Sequence, residues 1–228
     1  MKTPLLYQVY QALRRGWRRI TPEARQAVRA FVASQNTARG YINAGGHPDA
    51  YYQQFGEVLE AVFTPSRLLT MQPRLTVQES QGKDTVYGQF FRFLEGGEEL
   101  GVRSEELGVR SDTTTNALCC LLAMQHQTGT LLDVTQVHTL QQRQDVTGGF
   151  RATEQAPIPD LLSTAVALFT LRLVGAKAID ATPFVQAHWL DNGGFAPTLY
   201  DDYSDVEYVF YGLLALGSTE PRRKVEYL

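Results

Sequence analysis

Residues 144–175 read QDVTGGFRATEQAPIPDLLSTAVALFTLRLVG, and their plan returns over residues 189–217, WLDNGGFAPTLYDDYSDVEYVFYGLLALG. Gly148-Gly149-Phe150 recurs as Gly193-Gly194-Phe195, and Asp160 recurs as Asp205, both at an interval of 45 residues. An apolar run follows each aspartate, Leu161 to Gly175 in one copy and Val206 to Gly217 in the other. Gln144 stands six residues before Phe150, and Trp189 takes that place before Phe195. A looser copy begins upstream, where Gln35 precedes Gly40-Tyr41, then Pro48-Asp49 and the run Tyr51 to Phe63. A fourth run, Ala117 to Met124, follows Asp112 without a glycine pair. Within the best copy, Leu162, Val166, Phe169 and Leu173 fall on one face of an α-helix. A period of this length lies in the range of helical repeat arrays.

Each part of the repeat has a physical use. A glycine pair lets the backbone turn at positive φ, and the aromatic after it fills the gap between neighbouring hairpins. Asp49, Asp112, Asp160 and Asp205 stand where an N-cap is wanted, each worth ~1 kcal/mol. Between the apolar runs lie further helical stretches: Pro4 to Arg14, Pro22 to Ala33, Thr85 to Leu94, Leu132 to Gln142 and Ala181 to Trp189. The only segment that reads as a strand is the ambiguous Leu75 to Gln78. The expected fold is therefore all-α, one domain of helical hairpins over residues 1–228. Residues 98–111 hold two identical heptapeptides, EELGVRS, which reads as a tandem-duplicated loop insertion without function.

Composition sets the class. With 228 residues, 43% of them hydrophobic and 20% charged, the chain matches a globular protein and not a disordered or fibrous one. Its two cysteines, Cys119 and Cys120, are adjacent, a poor arrangement for a structural disulfide, so both are expected buried and inert. The four histidines are scattered without ligand spacing. No apolar run approaches a membrane span and Met1 to Arg19 lacks the order of a signal peptide, so a cytoplasmic protein is expected. A net charge of −3 conceals a strong polarity. Residues 1–39 carry eight basic side chains against Glu23 alone, a net of +7, which leaves −10 for the remainder. Asp180 to Glu207 holds six acids and no Lys or Arg. Such opposed ends can neutralise each other across a fold.

Gln144 with Gly148-Gly149-Phe150, the helix opened by Asp160, and Asp205-Val206-Glu207-Tyr208 running to Gly217 together carry a resemblance. The pattern resembles the repeats shared by protein prenyltransferase β-subunits and squalene or terpene cyclases, whose helical hairpins close into an α–α toroid. The resemblance implies a toroid, closed or open, and an isoprenoid or its diphosphate as substrate or ligand. Six hairpins of this size need about 270 residues, so 228 residues supply about five, and an oligomer is one way to complete the ring.

The prenyltransferases use zinc held by an Asp-x-Cys pair and a later histidine. Here Asp205 takes the first place and Glu207 the cysteine's, and no histidine follows, so zinc is not expected. The cyclases use an Asp-x-Asp-Asp acid, which Asp201-Asp202-Tyr203-Ser204-Asp205 does not reproduce. Four carboxylates in seven residues still shift each other's pKa, and their oxygens suit Mg²⁺. Asp202, Asp205 and Glu207 are thus the candidate catalytic residues. Tyr51, Tyr52, Phe169, Tyr208 and Tyr211, with Phe55 and Phe210, are candidates to line an apolar, cation-tolerant cavity. Two further readings stand beside the enzyme: an apolar-ligand binding protein without turnover, and a protein-interaction scaffold. Nucleic acid is not expected, since the basic cluster has no recognition motif around it. A membrane surface is a conceivable partner of the N-terminal helix, where Leu5, Leu6, Val9 and Leu13 are flanked by arginines.

Overall fold

The computed structural model describes residues 5–65 and 113–219, which form eight α-helices and four two-residue strands. The helices are α1 (Leu5–Arg19), α2 (Pro22–Ser34), α3 (Ala50–Phe63), α4 (Thr115–Thr128), α5 (Val134–Gln142), α6 (Leu161–Leu173), α7 (Thr182–Ala187) and α8 (Val206–Ser218). Leu75 to Gln78, Thr85 to Leu94, the duplicated segment 98–111 and Asp112 lie outside the described residues. The described part is mostly helical, as the sequence implies. The small strands, unforeseen there, belong to the glycine turns: β1 (Asn36–Thr37) pairs with β2 (Gly40–Tyr41), and β3 (Phe150–Arg151) with β4 (Pro159–Asp160).

The repeat is built as its residues suggest. Gly148 and Gly193 take φ of +91° and +92°, and a bridge joins Gln144 to Phe150 as another joins Trp189 to Phe195. Gly149 and Gly194 have no room for a side chain: a Cβ would stand 2.5 Å from the Phe184 ring and 2.5 Å from Ser204. Three aspartates cap as expected. Asp49 accepts from the amide of Tyr51, Asp160 from that of Ser163, and Asp205 from those of Glu207 and Tyr208. Helix α4 differs, because its cap is Thr114, whose hydroxyl accepts from the Ala117 amide. Neighbouring units are stitched by one recurring bond. The Thr115 amide donates to the Ala152 carbonyl at 2.8 Å, and the Leu161 amide to the Pro197 carbonyl at 3.0 Å. Both acceptors stand two residues beyond the repeat's aromatic.

Packing centres on α8. Helix α4 packs on α6, α6 on α8, and α8 on α3, while α1 lies against both α3 and α8. All of α8 except Tyr208 is buried, and so is α6 from Leu161 to Leu171. These helices are apolar all round because neighbours cover every face, which is why the one-face period of α6 understates its burial. The α1–α8 crossing is close enough for backbones to touch. A Cβ on Gly16 would lie 2.0 Å from the Leu213 carbonyl oxygen, and one on Gly217 would lie 1.7 Å from that of Ala12.

The basic N-terminal segment meets α8, but not through its acids. Arg15 Nε donates to the Gly217 carbonyl at 2.9 Å and Arg19 Nη1 to that of Leu216 at 2.5 Å. Arg19 also reaches the Thr219 hydroxyl. At the end of α3, Arg14 donates to the Val62 carbonyl and Arg29 to the Phe63 carbonyl at 2.9 Å. The last carbonyls of a helix have no partner within it and carry the negative end of its dipole, so guanidinium groups satisfy both needs. Among the described residues, the hydrogen bonds that Arg14, Arg15 and Arg29 make are with helix-end carbonyls. The arginines hold the C-terminal ends of α3 and α8, and Asp205 and Glu207 stand at the opposite end of α8. Of the apolar residues named for a membrane surface, Leu5, Val9 and Leu13 are buried where α1 packs on α3 and α8, and Leu6 is half-buried.

Gly217→Ala should lower stability by about 1–3 kcal/mol, because the added methyl has only backbone to displace. Reversing Arg14, Arg15, Arg18 and Arg19 to glutamate should lower the melting temperature at low salt. Thermal unfolding followed by circular dichroism checks both, and unchanged transitions would contradict the crossing.

Candidate functional site

The caps of α3 and α8 place the two helix N-termini side by side, and the residue two beyond each cap meets the other. Asp49 leads to Tyr51 and Asp205 leads to Glu207, and the Tyr51 hydroxyl donates to Glu207 Oε1 at 2.8 Å. Tyr52 stands beside the same carboxylates, since Asp205, Glu207 and Asp49 all raise its phenol. Tyr51 belongs to the first copy of the repeat and Glu207 to the last, so their bond ties these two copies together. Two N-terminal dipoles favour negative charge here.

Burial opposes that charge. Glu207 is only 6% exposed, and burial pushes its carboxyl up to about 7, with Asp205 adding to the rise and Tyr51 and Tyr52 opposing it. Asp205, 2% exposed, is raised too, chiefly by burial and against the amides of Tyr208 and Glu207. Burial and the nearby carboxylates raise Tyr52, which keeps its phenolic proton. The arrangement is a proton-holding cluster, with one carboxyl half-protonated near neutral pH between two phenols and a second carboxyl.

The structure distributes the sequence candidates unevenly. Asp205, Glu207, Tyr51 and Tyr52 come together. Asp202 is exposed and stands outside their hydrogen-bonded group, while Asp201 Oδ2 is taken by the amide and hydroxyl of Thr198 at 3.0 and 2.7 Å. Among the described residues no group of three or more His, Cys, Asp or Glu side chains could hold a metal ion. The four carboxylates therefore do not converge on Mg²⁺, because capping and turn bonds turn them apart. Tyr208 is half-buried, its ring 6.5 Å from that of Tyr203. Phe169 and Tyr211 lie buried in the core, and Tyr211 meets Phe210 at 5.4 Å and Phe55 at 6.0 Å.

Three polar features escaped the sequence reading. Arg143 is buried and donates to the Thr115 hydroxyl and the carbonyls of Thr113 and Ala152, pinning the start of α4. His188 is fully buried, with Nδ1 at 2.8 Å from the Ala196 carbonyl and Nε2 without a partner. Burial pushes its imidazole down. The third is the Tyr51–Glu207 pair itself. Its signal lay in the repeat, since both stand at the same register after their caps. Of the two cysteines Cys119 is buried as expected and Cys120 is half-buried, and burial raises both thiols, Cys120 to about 12.

Glu207 makes a pH prediction. The folded protein holds a proton that the unfolded chain releases above the ordinary value of 4.5. That contribution is fully present below this value and is lost as pH rises through about 7. It amounts to about 3 kcal/mol. Glu207→Gln should therefore flatten the fall in melting temperature between pH 5 and 8, whereas Tyr51→Phe should move the Glu207 midpoint upward. Carboxyl ¹³C NMR titration reads the second effect, and a midpoint near 4.5 in the parent protein would refute the assignment.

Among the described residues no helix is long and apolar enough to span a bilayer. Comparison with known proteins found no matching family model, no matching curated protein and no matching solved structure.

Proposed function

We propose that this chain is an α–α toroid protein of the prenyltransferase and terpene-cyclase kind, handling a proton on an isoprenoid or its diphosphate at Glu207. The observation that carries the reading is the buried, half-neutral Glu207 carboxyl, bonded to Tyr51 and set beside Asp205 and Tyr52. An acid that keeps its proton at neutral pH in a poorly solvated setting is suited to general acid–base work. Supporting the toroid are the inter-unit bonds at Ala152 and Pro197, and the Tyr51–Glu207 bond between first and last repeats. In this account Glu207 gives or takes the proton, Asp205 and Tyr51 hold it in place, and Tyr52 and Tyr208 present aromatic faces to developing positive charge. Magnesium is not required.

A second reading, an apolar-ligand binder or scaffold without turnover, is favoured by one specific feature. Phe55, Phe210 and Tyr211 pack edge-on against one another and are fully buried, as core residues do.

Thermal unfolding with farnesyl and geranylgeranyl diphosphate, with and without Mg²⁺ or Zn²⁺, separates the readings. Ligand at 100 times its Kd adds about 2.7 kcal/mol, a rise of several degrees. The rise should not depend on metal and should vanish in Tyr52→Ala. Turnover to a new product, lost in Glu207→Gln while binding persists, is expected of the enzyme. Binding without product would favour the second reading, and no rise with either diphosphate would contradict both isoprenoid readings.

A further inference from the structure

At the other end of α8, about 16 Å from Glu207 at 1.5 Å per residue, a cleft of about 530 Å³ opens between the C-terminal ends of α6 and α8. Leu168, Leu171 and Ile179 supply apolar wall, and Arg172, Lys177 and Ser218 supply polar groups. The volume is within the range of small-molecule sites.

The wall is fixed in place. The repeat glutamine Gln144 clasps Ile179 from both sides, accepting from its amide at 2.7 Å and donating to its carbonyl at 2.8 Å. Gln141 Nε2 donates to the Lys177 carbonyl at 2.8 Å, and the Ala176 amide closes the end of α6 onto the Leu171 carbonyl at 2.8 Å.

The charge at the cleft is unbalanced. Arg15 and Arg19 are committed to the carbonyls ending α8. Burial first, and then the Arg172 guanidinium, push Arg15 below its ordinary value, so two cations stand near each other. Arg172 is exposed, and neither its side chain nor that of Lys177 forms a hydrogen bond or ion pair among the described residues. Asp180 is the acid of the wall, and its Oδ1 is occupied by the Thr182 amide at 3.0 Å. Ser218 is 4% exposed, and its hydroxyl has no hydrogen-bond partner. A buried hydroxyl left without a partner is costly, and an acceptor brought into this cleft would supply one.

We propose that this cleft binds a small amphiphilic anion, a phosphate or carboxylate head on a short apolar body. The head lies with Arg172 and Lys177 and accepts from Ser218, and the body covers Ile179, Ala178 and Ala176. An anion there also offsets the repulsion between Arg15 and Arg172. The site is independent of the proton-handling cluster and of the substrate assigned to it.

Isothermal titration of the full chain with octyl phosphate, octanoate, inorganic phosphate and octyltrimethylammonium tests this. Octyl phosphate or octanoate should bind, whichever is tighter naming the head group. Inorganic phosphate should bind at least about tenfold more weakly, for want of the apolar body. The octylammonium salt should not bind. Joint Arg172→Glu and Lys177→Glu substitution should weaken binding by about tenfold or more, and Glu207→Gln should leave it unchanged. Ser218→Ala should weaken it about tenfold while the melting temperature holds or rises, because the orphaned hydroxyl is gone. Absence of binding up to about 1 mM, equal binding by the charge-reversed variant, or equal binding of the ammonium salt would overturn the proposal.

Discussion

The contact on which the rest depends is the backbone-to-backbone crossing of the first helix on the last, at Gly16 and Gly217. Neither position admits even a methyl group, since its Cβ would stand 2.0 Å or less from a carbonyl oxygen. Such closeness lets the arginines of α1 reach the terminal carbonyls of both α8 and α3. Helix α1 thereby fixes the C-terminal ends of two helices at once. The N-terminal ends of the same two helices are tied by Tyr51 and Glu207. Clamped at both ends, α3 and α8 lie in parallel, and the first and last repeats are neighbours.

The charge polarity of the chain follows from this geometry. A helix is electrically positive at its start and negative at its end. The basic segment lies against the ends of α3 and α8, and Asp205 and Glu207 lie at the start of α8. The arginines and the Asp205–Glu207 pair thus stand at opposite ends of α8. The same arrangement gathers Asp205 and Glu207 under two helix starts and then buries them. Dipole and hydrogen bonds favour their ionised forms while desolvation opposes them, and for Glu207 desolvation wins.

Much of the fold was legible in the sequence because the repeat is local. Glycine pairs, caps and apolar runs each act over a few residues, so Gly148, Asp160 and the run behind them declare a turn, a cap and a helix without tertiary information. The site was legible in part for the same reason. Asp205 and Glu207 stood out as carboxylates at a helix start, and Tyr51 and Tyr52 as aromatics at the matching start. What joined them, the lateral contact of α3 with α8, is a long-range fact with no local trace. Asp202 looked equivalent to its neighbours by spacing, yet the turn at Thr198 and the cap at Asp205 leave it outside. Gly16 was the other silent residue. It sits inside a strong helical pattern, where glycine is a cost of about 1 kcal/mol, and only the neighbouring helix explains why that cost is borne.

A fold that rests on the α1–α8 crossing opens α1, α3 and α8 as one cooperative unit. Native-state hydrogen exchange measures it directly, through the opening free energies of amides in α1, α3 and α8. If the crossing holds the fold, amides in the middle of α1 exchange only with the same large opening that releases α8. If α1 exchanges by local fraying while α8 stays protected, the closure is not what the structure rests on.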